Sequence, residues 1–245
     1  MQAGLRRYGW LVAIAVAYLY VVPYFPKIHS ANELPRVYLV QAIVEDHSFA
    51  VDRGVARWGA TADVSPYGGH AYSNKAPGAS FLAVPAYAVA HAIAGELGLH
   101  AALWLCRVTA GVLPTLAFLW LLWGFLARFA PDPDLRRLVI LGYALGSLAM
   151  TYSILFYSHQ VAASCIAGAW IVGLDAAEGR RRPRAMIVAG LLAGAAPLMD
   201  YHGVFAALPV AVHILFKLPR GERLRGVALA VLGAAAPIAL LLAYH

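Results

Sequence analysis

Eight apolar runs follow one another along this chain, and their lengths, close to that of a membrane crossing, decide most of what it can fold into. They cover residues 8–23, 78–97, 101–126, 138–156, 161–174, 185–199, 203–216 and 227–244. About 20 apolar residues in a helix cross the hydrocarbon of a bilayer; most of the runs come near that and several are shorter. Inside hydrocarbon the backbone must satisfy its own hydrogen bonds, so runs of this kind are predicted to be helices. A soluble domain is nearer half apolar and a quarter charged, whereas this chain is 62% hydrophobic and 13% charged. The expected class is an all-α, polytopic membrane protein, with residues 1–245 forming one transmembrane domain.

The net charge of +7 does not point to nucleic acid. Its basic residues bunch in short loops, the pattern that sets membrane orientation. Cys106 and Cys165 both fall inside apolar runs, which argues against a disulfide scaffold. Arg6 and Arg7 precede the first run, and no small-residue cleavage site follows it. It reads as an uncleaved span with the N-terminus in the cytoplasm. Its exit carries Tyr24 and Phe25, aromatics of the kind that gather at the interface.

Only one long polar interval interrupts the apolar runs, residues 30–77. Such a stretch needs water and so belongs on one face of the membrane. Loops beyond about 12–15 residues are usually functional or disordered, and this one carries its own structural signals. From Glu33 to Asp46 apolar residues are punctuated by Arg36, Gln41 and Glu45, predicting a helix along the interface, with Pro35 in its first turn. Residues 48–52 alternate like a short strand, and Tyr67-Gly68-Gly69-His70 reads as a turn.

The basic loops at residues 178–184 and 217–225 belong in the cytoplasm, and residues 129–137, which end in two arginines, join them. With the N-terminus also inside, residues 26–98 form an extracytoplasmic loop. An odd number of crossings must then lead back to Arg136, although two apolar runs intervene. Residues 78–97, which contain Pro85, His91 and Glu96, are expected not to cross but to form a second interfacial or re-entrant helix. About seven spans result, with the C-terminus outside. The outer ends of the spans then collect Arg107, Tyr157-Ser158-His159-Gln160 and Asp200-Tyr201-His202 on the side of the polar loop.

Two motifs carry a family likeness. After the first span the chain reads Asn32-Glu33-Leu34-Pro35-Arg36-Val37-Tyr38, and before the next apolar run Tyr72-Ser73-Asn74-Lys75-Ala76-Pro77. This resembles the GT-C-type membrane glycosyltransferases that use polyprenyl-phosphate-linked sugars, the protein O-mannosyltransferases and aminoarabinose transferases. In that family an acidic pair opens an interfacial helix and is followed by Arg and Tyr, and an aromatic, a polar or acidic residue and Lys-Pro come before the next span. The likeness runs over nearly the whole chain, as far as the family's seven-span module; larger members continue with further spans and an outer domain. It implies a protein of the bacterial inner or plasma membrane whose active face is extracytoplasmic. Its donor would be a polyprenyl-phosphate sugar and its acceptor a lipid, a glycan or a protein. Two positions depart from the family pattern, because Asn32 stands where the catalytic acid is usual and Asn74 where a carboxylate can bind metal.

The expected roles follow, each beside a plainer one. Glu33 is the candidate base that deprotonates the acceptor hydroxyl during inverting displacement, with Asn32 orienting the acceptor. Alternatively Asn32 caps the interfacial helix and Glu33 complements its dipole. Lys75 is a candidate phosphate contact or a lysine reaching for headgroups. Arg36 either binds phosphate or pairs with Glu33 at i+3, and Asn74 and Tyr38 occupy matched motif positions. Arg107, an arginine within an apolar run, is a functional candidate by its cost alone. His159, Asp200 and His202 are donors of a type that suits a divalent metal such as Zn or Mn, or polar helix ends. A second functional class stays open, a non-catalytic carrier that holds a lipid-linked sugar for a partner enzyme.

Overall fold

The computed structural model describes residues 2–21 and 30–245, with side chains from Tyr8 onward. The interfacial aromatics expected at Tyr24 and Phe25 lie outside the described residues. The chain is mostly helical and divides into two units, Met1–Gln160 and Val161–His245.

In the first unit, helix α1 (Gln2–Val21) presents Trp10, Ile14 and Tyr18, spaced four apart and so on one face. They enter a core with Val112, Leu119, Trp123, Ile140, Ala144 and Ile154. Trp10 stacks on Trp123 at 5.0 Å, and the buried Tyr18 hydroxyl donates to Ala144 O at 2.7 Å. The polar interval follows as α2 (Leu34–Gln41), α3 (Asp52–Trp58) and a two-stranded antiparallel hairpin, β1 (Val64–Tyr67) and β2 (His70–Ser73). Gly68 and Gly69 both have positive φ, the requirement of a tight two-residue hairpin turn, where the sequence predicts one. The strand expected over residues 48–52 is a single bridge between Ala50 and Tyr72, because the chain turns into α3 at Asp52.

Helix α2 starts where the sequence predicts the interfacial helix, with Pro35 in its first turn. It is covered on every side rather than half exposed, since residues 35–42 are all buried, Arg36 and Gln41 included. The Tyr38 side chain sits where a Cβ on Gly54 of α3 would come within 2.7 Å of it, so only glycine allows α3 to close over α2. Past Gln41 the helix widens into a π-turn at Ala42–Asp46 that ends on His47 with φ 50°.

Helix α4 (Gly78–Ala94) then leads to α5 (Leu99–Arg107), a π-turn at Val108–Val112 and α6 (Leu113–Leu126), together one 28-residue helix. The run expected over residues 138–156 is broken. Helices α7 (Pro133–Gly146) and α8 (Leu148–Ile154) meet at 59° around Ser147, whose hydroxyl accepts from Ala149 N and restarts the chain as a new helix.

The second unit is built from α9 (His159–Ala177), α10 (Ala185–Met199), α11 (Gly203–Lys217) and α12 (Arg223–Tyr244). Gly190 and Gly194, spaced as in close-packed membrane helices, let α10 and α12 meet backbone to backbone. A Cβ on Gly190 would lie 1.8 Å from Ala230 O, and one on Gly233 would lie 1.9 Å from Ile187 O. Gly190→Ala is therefore expected to lower the melting temperature in detergent, since forced overpacking costs about 1–3 kcal/mol. Gly124→Ala, where nothing lies within 4 Å, is expected not to lower it. Equal melting of Gly190→Ala and the unsubstituted protein would contradict the close crossing.

Among the described residues three helices are long and apolar enough to cross a membrane, Leu99–Leu126, His159–Ala177 and Arg220–Tyr244, or four if the bent α7–α8 pair is one span. The shorter apolar helices, such as α4 with 17 residues and α10 with 15, rise only about 22–25 Å at 1.5 Å per residue, against a hydrocarbon core of about 30 Å. By length and composition alone three or four of the described helices qualify as spans, where about seven are expected from the sequence. Helix α12 exposes Leu224, Val231, Leu232, Leu240 and Leu242, a surface suited to lipid rather than water.

Candidate functional site

The site grows from the turn that enters α2. Ser30 Oγ accepts from Glu33 N at 3.3 Å, so the serine, not Asn32, satisfies this amide. Ser30-Ala31-Asn32-Glu33 has the spacing of a capping box, but Glu33 does not turn back to complete it. Its side chain, 1% exposed, runs to Arg107 at the end of α5. Arg107 Nε donates to Oε1 at 2.9 Å, its second terminal nitrogen donates to Oε2 at 3.0 Å, and Phe156 N donates to Oε1 at 2.8 Å. The arginine expected to be costly within an apolar run is thus matched by a carboxylate in a two-pronged pair, the strongest form such a contact takes. Both oxygens of Glu33 are engaged, and its partner is Arg107 rather than Arg36.

Arg36, one helical turn on, donates to Asn32 O at 2.6 Å, to Asn32 Oδ1, and to Ser158 Oγ at 3.0 Å. Asn32 therefore serves as an acceptor for Arg36 and makes no side-chain cap. Ser30 Oγ and the Tyr157 hydroxyl lie 2.8 Å apart. His159 packs edge-on against Tyr152 at 5.1 Å and Tyr157 at 6.0 Å, and is itself exposed. The segment at residues 156–159 thus closes against the α2 turn, a convergence the sequence predicts.

On the hairpin side, Thr61 Oγ1 donates to Ala31 O at 3.3 Å and brings the chain before β1 beside the Asn32 turn. Two residues on, Asp63 Oδ2 lies 3.0 Å from Lys75 Nζ, with the side chains 27% and 21% exposed. Asn74 N donates to Asp63 O at 3.5 Å, and its side chain is exposed. Asp63 is a site residue that sequence reasoning misses. Nothing in its spacing marks it, and only the hairpin register carries it to Lys75. Further along the hairpin, Asp52 accepts from Ala71 N at 2.9 Å and lies 2.8 Å from His70 Nδ1. Those two contacts, the amide first, hold its carboxyl below the usual range.

A second polar knot, also unmarked in sequence, forms where the π-turn ends. Glu45, its side chain 2% exposed, accepts from the Tyr87 hydroxyl at 2.7 Å and from Gln41 at 3.2 Å. Arg53 comes within 3.3 Å and Arg57 within 3.7 Å of the same carboxylate. Arg53 and Arg57 also reach Glu96. This network ties α2, α3 and the end of α4 together and has the character of a structural brace. Tyr38 is fully buried, donates to Gly59 O at 2.8 Å and tilts on Trp58; burial pushes its phenol up. Its motif position is therefore structural here.

Asp200 and His202 belong to the second unit, where they lie 3.2 Å from each other. Among the described residues no three His, Cys, Asp or Glu side chains stand together as a metal site. No family model matches the chain, and neither a curated protein nor a solved structure matches it.

Proposed function

We propose that this chain is a membrane glycosyltransferase, or the membrane module of one, that moves a sugar from a polyprenyl-phosphate donor to a lipid, glycan or protein acceptor. The reading is carried by one observation, the Asp63–Lys75 pair at 3.0 Å, partly open to solvent and tied to the Asn32 turn through Thr61. Lys75 with Arg36 receives the donor phosphate, a charge-assisted contact. An arriving phosphate competes with Asp63 for the ammonium and releases the carboxylate beside the site. Asp63 then takes the proton of the acceptor hydroxyl as its oxygen bonds to the anomeric carbon. The bond from that carbon to the phosphate oxygen breaks with inversion, and the phosphate leaves with the electron pair. Its growing charge is met by Lys75 and Arg36. Asn32 orients the acceptor, exposed Asn74 lies at hand for sugar hydroxyls, and Glu33, with no oxygen to spare, positions the turn through Arg107.

In the same reading residues 30–77 face the extracytoplasmic side, the basic loops face the cytoplasm, and short helices complete about seven crossings. The carrier alternative is favoured by a specific pair of features, the buried, fully engaged Glu33 and the amide at Asn32. Radiolabelled polyprenyl-phosphate sugar, incubated with the protein in liposomes, tests the proposal. Lys75→Gln is expected to weaken donor binding about tenfold or more, as loss of a charged contact to phosphate does. Transfer of label to an acceptor by the unsubstituted protein separates enzyme from carrier, and unchanged donor binding in Lys75→Gln would refute the phosphate assignment.

A further inference from the structure

We infer that the second unit holds an acidic phospholipid of the surrounding bilayer at its arginine-rich end. Between the α9–α10 and α11–α12 connections lies a cleft of about 720 Å³ whose charged lining is Arg180, Arg181, Arg182, Arg225, Glu178 and Glu222. The loops at residues 178–184 and 217–225 that form it carry eight basic residues against two acidic ones. Arg180, Arg181 and Arg225 are partly neutralised by Glu178, Asp175 and Glu222, whereas Arg182 makes no ion pair among the described residues. Membrane orientation accounts for positive loops, but it requires neither a cavity between them nor what adjoins it.

What adjoins it is an apolar groove of about 320 Å³ between α10, α11 and α12. Met186 and Leu218 line both spaces, so the two adjoin. Val210, Ala211 and Val231 form part of the groove's wall. A soluble anion would fit the cleft and leave the groove empty, and a hydrocarbon would do the reverse. An amphiphile with a phosphate head and an acyl chain uses both. Guanidinium groups match the phosphate oxygens in paired fashion, and a head that carries its own ammonium would meet Arg182 unfavourably. The occupant is therefore a phosphodiester lipid without a cationic head, of the phosphatidylglycerol type. The inference needs the helices to sit in a bilayer and does not depend on sugar transfer.

The test uses the full chain in detergent micelles, with thermal shift and native mass spectrometry as readouts. Added phosphatidylglycerol is expected to raise the melting temperature and to stay bound, while phosphatidylethanolamine and inorganic phosphate do neither. Arg182→Gln with Arg225→Gln, both at exposed side chains, is expected to weaken phosphatidylglycerol binding about tenfold or more, since each basic residue near the surface contributes appreciably. Ala211→Phe, which fills the groove from its exposed side, is expected to lose the long-chain lipid and serves alone if the double variant does not fold. Equal binding of phosphatidylethanolamine, an equal shift with inorganic phosphate, or undiminished binding in either variant would overturn the inference. Displacement of phosphatidylglycerol by equimolar polyprenyl phosphate would overturn it too and assign the cleft to a donor-type lipid. Transfer assays run in parallel report on the other unit's proposal separately.

Discussion

Asp63→Asn is expected to lower sugar transfer by about 10²–10⁴, the usual worth of a positioned base, while donor binding holds or tightens. The amide cannot take the acceptor's proton, yet it removes the carboxylate that competes with phosphate for Lys75. The loss should therefore appear in kcat, with the donor KM unchanged or lower, a combination that marks a transition-state role. Glu33→Gln supplies the contrast. Its side chain lies under Arg107 and Phe156 N, so its effect should come as lost stability rather than lost turnover per folded molecule. Full activity in Asp63→Asn would remove Asp63 from the chemistry. A turnover loss confined to well-folded Glu33→Gln would return the base to Glu33. Absence of transfer by the unsubstituted protein, with donor binding intact and sensitive to Lys75→Gln, would leave the carrier reading standing.

Arg107→Ala is expected to destabilise the first unit by about 3–5 kcal/mol, the cost of stranding one member of a buried ion pair. Glu33, at 0% exposure, would keep only the Phe156 amide of its present donors. Replacing both partners by apolar residues, Glu33→Leu with Arg107→Met, is expected to recover most of that loss, because a buried pair exchanged for packed hydrocarbon is often close to neutral. The unrecovered part is the Phe156 N–H left without an acceptor, about 1–3 kcal/mol. Denaturant unfolding in mixed micelles, run as a double-mutant cycle, measures these quantities. Arg107→Ala unfolding at the same midpoint as the unsubstituted protein would show that the pair does not hold the α2 turn.

The sequence alone reaches what neighbours in the chain decide. Apolar runs become helices because a backbone in an apolar setting must bond to itself, and α10 falls on the predicted residues 185–199. Gly68-Gly69 makes its turn because only glycine enters positive φ twice in succession without strain. Pro35 opens α2 for an equally local reason, the spare N–H of a first helical turn. The approach of residues 157–159 to the polar interval was legible too, through the order of runs and loops.

Tertiary structure decided the rest. Glu33 finds Arg107, 74 residues away, and not Arg36 three residues on, because packing brings α5 across the α2 turn while Arg36 is drawn to Asn32 and Ser158. The cover over α2 comes from α3, the hairpin and α4, and amphipathic pattern cannot report a lid supplied by other elements. The break at Ser147 and the short α10 and α11 leave three or four helices of spanning length among the described residues, since composition sets which residues avoid water but not where a helix ends. Asp63 meets Lys75 only through the hairpin register. Ion pairs form across a few ångströms of space, and separation along a chain carries almost no information about that distance once two elements have packed.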